Sequence, residues 1–166
     1  MNHLHTRPRV LVIYNDSERL IKGRPQDILA EREVVNCAHD VAQALASAGY
    51  DVEMARITAD VEMALAPYSP SEWLVFNLGE GLGGRLFEEV RIAWALEAMG
   101  YRYTGSDAMA LAISTHKARA KAVLESAGVP TPPWRLFCSA DQVSDDSLAG
   151  LPFPLFVKPV AEDASL

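Results

Sequence analysis

Between Leu74 and Asp107 the chain reads strand, glycine loop, helix, strand, and this stretch constrains the fold more than any other. Trp73 to Phe76 is a short apolar run of the kind that forms a buried strand. Gly79 to Gly84 places four glycines in six residues. A helical repeat follows through Leu86, Val90, Ala93, Trp94, Leu96, Glu97 and Met99, and Gly100 stands where a helix C-cap is expected. Tyr101 to Thr104 then reads as a second strand, closed by Gly105-Ser106. A βαβ unit of this kind builds a parallel sheet with a right-handed crossover. In open α/β sheets, ligands bind outside the carboxyl ends of the strands, which is where this glycine loop falls.

The flanking sequence extends the pattern. Val10 to Tyr14 is a continuous apolar run, expected as a central buried strand. Asn15 to Pro25 is polar and reads as a loop. A helix is predicted from Asp27 to Gly49, a strand over Asp51 to Ile57, and a short helix over Ala59 to Ala66, stopped by Pro67 and Pro70. After Ser106 the alternation ends. Short helices are predicted over Ala108 to Ile113 and Thr115 to Ala127, and strands over Trp134 to Cys138 and Phe153 to Lys158. A boundary near Ala112 follows, giving an α/β parallel-sheet, Rossmann-like domain over 1–112 and a second piece over 113–166. A two-element tail buries little apolar surface alone, so the expectation is a portion of a longer protein.

Composition narrows the function classes. The net charge of −7 argues against a nucleic-acid or anionic-membrane surface. The longest apolar runs are too short to span a bilayer. Cys37 and Cys138, the only cysteines, make neither a disulfide framework nor a metal motif, and a reducing, cytoplasmic setting is expected. His3, His5, His39 and His116 lack metal-ligand spacing.

Three groups of residues carry candidate chemistry. Gly79 to Gly84 matches G-x-G-x-x-G, the dinucleotide fingerprint. That fingerprint belongs after the first strand, whereas here the first turn, Tyr14-Asn15-Asp16-Ser17, has no glycine. A loop whose backbone N–H groups bind substrate at a helix N-terminus is the favoured reading, with Glu80 and Gly81 inside it. An NAD-binding oxidoreductase domain stays as an alternative. In the first helix, Glu31 and Glu33 are two apart and cannot share a face, so at most one looks into a site. Lys117 opens a helix, Lys158 ends an apolar run, and Glu162-Asp163-Ala164-Ser165 follows. Together these suggest a nucleotide held between strands, without a P-loop.

In their order and spacing, Ala30-Glu31-Arg32-Glu33-Val34, Glu80-Gly81 with Glu88-Glu89, Tyr103-Thr104-Gly105-Ser106, Lys117 with Lys121, Gly128-Val129-Pro130-Thr131-Pro132, and Lys158-Pro159 through Ser165 resemble D-alanine–D-alanine ligase and its ATP-grasp relatives. The resemblance covers nearly the whole chain. It implies a substrate-side pre-ATP-grasp domain followed by the beginning of an ATP-grasp domain. The implied reaction joins a carboxylate to an amine through an acyl phosphate, with ATP and Mg2+, in cell-wall peptidoglycan synthesis. Glu31 is implied at the ammonium of the first amino acid. Lys117, Lys158, Glu162 and Ser165 are implied at ATP, and Asn15, Glu80, Gly81 and Gly105 at substrate. The metal ligands are expected outside these 166 residues, so the chain alone is expected to be inactive. A homodimer is a further expectation, and a non-catalytic small-molecule-binding module of the same fold is the other alternative. Two departures stand out. His116 precedes Lys117 where the family usually has an acidic residue, and Ala164 replaces a usual serine.

Overall fold

A computed structural model describes residues 9–15, 28–79 and 88–161, with only the backbone for 28–33. It divides into two compact units, Met1–Leu111 and Ala112–Ser165.

The first unit is built on four strands in the order β2-β1-β3-β4, all parallel. The elements run β1 (Arg9–Asn15), α1 (Ile28–Ser47), β2 (Asp51–Ile57), α2 (Val61–Leu65), β3 (Trp73–Leu78), α3 (Glu88–Ala98) and β4 (Arg102–Tyr103). The apolar run predicted as central is central. In β1, Val10 to Ile13 are buried on both faces, as a strand between two neighbours must be. In β2 and β3 burial alternates instead, with Ala55 and Ile57, and Trp73 and Val75, turned to one face. Leu11 and Ile13 join them, and α2 and α3 cover that layer with Val61, Leu65, Ile92, Ala95 and Leu96. On the outer turns, Tyr101 donates its hydroxyl to the Tyr68 carbonyl at 2.6 Å, and burial raises its pKa. At the amino ends of the strands, Arg9 lies 3.9 Å over the Trp73 ring and pairs with Asp51 and Glu72.

Register fixes which residues share an edge. Tyr14 pairs with Leu78 and Asn15 with Ile57, so the carboxyl ends of β2, β1 and β3 lie level. The connections leave β1 toward β2 on one side and reach β3 on the other. The sheet therefore has its switch point between β1 and β3, the place outside the strand ends where open α/β sheets bind ligands.

The second unit holds the remainder of α4 (Ala108–Ser114), then α5 (Lys117–Ser126), a single 3-10 turn at Ala140–Gln142 and α6 (Asp145–Leu148). The strands expected over Trp134 to Cys138 and Phe153 to Lys158 are not formed among the described residues. Among the described residues no strand pairs with either run, and β-propensity expresses fit to a neighbouring strand rather than a property of the run alone. Phe156 and Val157 are 90% and 96% exposed. The segment before Trp134 is held on α5 instead. Trp134 Nε1 donates to Glu125 Oε1 at 2.8 Å, and Lys121 Nζ donates to the Pro132 carbonyl at 3.0 Å.

Candidate functional site at the carboxyl edge

Three predicted residues meet at one edge of the first unit. Asn15 closes β1 and is buried. Gly79 follows β3 immediately, across the switch point from Asn15. Gly105 follows β4, whose Tyr103 pairs with Val75. Glu31 lies in the first turns of α1, which leaves the same edge to return to β2. Its backbone is thereby at the site edge, while its side chain lies outside the described residues, as do Glu80 and Gly81.

The local chemistry explains why these turns hold. Asn77 Oδ1 accepts the Gly79 N–H at 2.9 Å and so caps the end of β3. A Cβ on Gly79 would sit 2.6 Å from Ile92 Cδ1, so glycine here permits the loop to pass against α3. Thr104 ties the next turn to β3 twice. Its N–H donates to the Val75 carbonyl and its Oγ1 accepts from the Asn77 N–H, both at 3.0 Å. Gly105 has φ of +108°, a conformation that an L side chain rarely adopts. Glu88, the first residue of α3, is buried and accepts from Arg91 Nη1 at 2.9 Å.

Two residues that the sequence reading passed over belong to this edge. The sequence marks Glu97 only as a helix position and assigns Asn77 no role. The signal for Glu97 was a carboxylate one turn before the closing Gly100, with Tyr103 and Asp107 just beyond. The Tyr103 pKa is pushed up to about 12, by burial first, then by the hydrogen bond to Glu97 and the negative charges of Glu97 and Asp107.

In the second unit, the Lys117 N–H donates to the Val160 carbonyl at 2.8 Å. The start of α5 and the segment just after Lys158 therefore lie side by side. Lys117 is half-buried and Lys158 exposed. Lys158 stands on irregular backbone, which corrects its placement on a strand. Lys121 faces Pro132 and serves structure. His116 caps α5 with Nδ1, accepting from the Arg119 N–H at 3.3 Å, the task an acidic residue would otherwise perform. Glu162 and Ser165 lie outside the described residues. Among the described residues, no three His, Cys, Asp or Glu side chains gather as a metal site. None of the described helices is long and apolar enough to cross a membrane.

Comparison with known proteins gives one consistent result. No family model matches the chain. The D-alanine–D-alanine ligase of Acidiphilium cryptum is 36% identical over 140 residues, covering 84% of this chain and 44% of that relative. The D-alanine–D-alanine ligase of Paraburkholderia phytofirmans is 34% identical over 149 residues, covering 82% and 44%. Among solved structures, D-alanine–D-alanine ligase from Bacillus anthracis superposes with a TM-score of 0.70 at 22% identity, covering 96% of this chain and 48% of that one. The same ligase complexed with ATP gives 0.56 at 24% identity, a likeness of fold. The chain spans less than half the length of the curated relatives it matches. Over most of its own length, this chain is a homologue of the D-alanine–D-alanine ligases.

Proposed function

We propose that the chain forms the substrate-side and nucleotide-entry portion of an ATP-dependent carboxylate–amine ligase of the D-alanine–D-alanine type, acting in the cytoplasm in peptidoglycan synthesis. The observation that carries the reading is the 36% identity to such a ligase over 84% of the chain. In this reading residues 1–112 are the pre-ATP-grasp domain and 113–166 open the ATP-grasp domain. The substrates are small amino acids, one giving the carboxylate and one the amine, and the functional unit is a homodimer. Phosphoryl transfer from ATP makes the carboxylate an acyl phosphate, and the amine displaces phosphate to form the amide.

The chain's own residues have separable tasks in this reaction. Glu31, in the first turns of α1, attracts the ammonium of the first amino acid. Asn15 and the Gly105 turn line the crevice that receives it, with Glu80 and Gly81 offering backbone N–H groups. Lys117 and Lys158 neutralise phosphate charge, which is the main demand of phosphoryl transfer. The bond from Lys117 to Val160 supports their acting together. Glu162 and Ser165 belong to the loop over the phosphates. Magnesium would share the phosphate charge when bound. The described residues offer no cluster for it, and no step here passes through it.

Nucleotide affinity tests the reading. ATP is expected to bind the chain in preference to NAD+. Lys158→Ala should weaken ATP binding about tenfold to a hundredfold, the effect of losing one charge-assisted hydrogen bond. Lys121→Ala should change it little, because Lys121 is committed to Pro132. Calorimetric titration showing NAD+ binding without ATP binding would overturn the proposal.

A further inference from the structure

The turn that presents Gly105 is looped around one side-chain oxygen. Glu97 Oε1 accepts the Tyr103 hydroxyl at 2.7 Å and the Ala108 N–H at 2.8 Å. One donor lies two residues before Gly105 and the other three residues after it. Ala108 opens α4, and the first N–H groups of a helix have no partner within it. Asp107 Oδ1 takes the Ala110 N–H at 2.7 Å, so Glu97 and Asp107 divide the capping between them. The Tyr103 hydroxyl also reaches the Ser106 carbonyl at 3.4 Å.

The turn has few other restraints. A Cβ at Gly105 would meet nothing within 4 Å, so the position is not crowded, and its φ of +108° is what favours glycine there. Thr104 anchors the entry to the turn on β3, and nothing in Thr104 reaches the exit at Ala108. Among the described residues, the Glu97 carboxylate joins Tyr103 at the entry to Ala108 at the exit, beside the longer Tyr103–Ser106 contact. Glu97, Tyr103, Gly105 and Asp107 also line one open hollow of about 780 Å3. The first residue of α3, Glu88, follows the glycine loop closely in sequence, and its last full turn carries Glu97.

We propose that Glu97 is the positioning residue of the Tyr103–Ala108 turn, setting where Gly105 stands at the carboxyl edge of the sheet. Its consequence for amino-acid binding rests on the ligase reading above. The positional role does not.

Amide hydrogen exchange of the 166-residue chain separates the two, comparing wild type with Glu97→Ala, Glu97→Gln and Tyr103→Phe. Glu97→Ala should speed exchange at Ala108 about tenfold, the effect of losing one charge-assisted, part-buried bond. The core amide of Leu11 should change far less. Glu97→Gln keeps an oxygen acceptor and should restore most of the protection at Ala108. Tyr103→Phe releases only the entry side and should give an intermediate rate. D-alanine affinity, read by NMR titration, should fall in the same order. Unchanged protection at Ala108 in Glu97→Ala, or no rescue by Glu97→Gln, would overturn the proposal. Should Glu97→Ala not fold, Ala108 exchanging at the wild-type rate in Tyr103→Phe, or far faster in Glu97→Gln, would overturn it equally. If the exchange order holds and wild type fails to bind D-alanine, the clamp stands and the ligase reading falls.

Discussion

The two units spend their apolar residues differently. In the first, Leu11, Val12, Ile13, Val75 and Leu96 are fully buried between sheet and helices. In the second, Phe153, Phe156 and Val157 are 75%, 90% and 96% exposed, although their sequence is as strand-like as that of β1. The difference teaches that an apolar run specifies a strand only where another strand accepts its backbone bonds. In the first unit, each strand returns beside one already present. In the described residues of the second unit, none does.

The largest expected effect measures that contrast directly. Leu11→Ala should cost about 2–5 kcal/mol, as core truncations do. Phe156→Ala should stay within about 0.5 kcal/mol, as surface changes do. Urea unfolding followed by circular dichroism compares them. A Phe156→Ala cost approaching that of Leu11→Ala would break the contrast, by showing that the exposed run is packed in solution.

A smaller effect tests how closely the glycine loop approaches α3. Gly79→Ala forces a methyl to 2.6 Å from Ile92 Cδ1 and should cost about 1–3 kcal/mol. Ile92→Val removes that methyl and should cost about 0.5–1.5 kcal/mol alone. The double variant should cost less than the sum, because the clash is gone. Additive costs would place the loop away from Ile92.

Much of the first unit was legible in the sequence for a physical reason. Its signals are local: period 2 or continuous burial in strands, period 3.6 in helices, and Gly49 and Gly100 ending helices where expected. The second strand is observed over Asp51–Ile57, as its alternation implies. The site was legible only in part. Asn15, Gly79 and Gly105 follow strands, and a parallel sheet necessarily brings strand ends to one edge. Glu97 was legible only as a carboxylate near a helix end, since its role depends on Tyr103 and Ala108 returning beside α3. The Lys117–Val160 bond joins residues 43 positions apart, as 160 less 117 gives, and no local pattern encodes that. Trp134 illustrates the opposite error. Its run promised a strand, yet its indole is taken by Glu125 of α5.

The smallest effect is a pH dependence in the first unit. Folded Tyr103 ionises at about 12 against an ordinary 10.0, so the fold favours the neutral phenol. That stabilisation is complete below pH 10 and is lost as pH rises toward 12. Tyr103→Phe should flatten this part of the stability profile, measured by thermal unfolding across the range. An unchanged slope would show that the fold, through burial and the Glu97 bond together, does not raise the Tyr103 pKa.

The central claim is that ligand chemistry gathers at the carboxyl edge of the sheet and at the paired lysine segments. Titration of 15N-labelled chain with D-alanine and then ATP tests it most directly. D-alanine should shift the amides of Asn15, Gly79, Thr104 and Gly105, and leave those of Arg9 and Glu72 at the opposite edge unmoved. ATP should shift Lys117, Lys158 and Val160. Shifts from D-alanine at Arg9 and Glu72, with the carboxyl edge silent, would contradict the account.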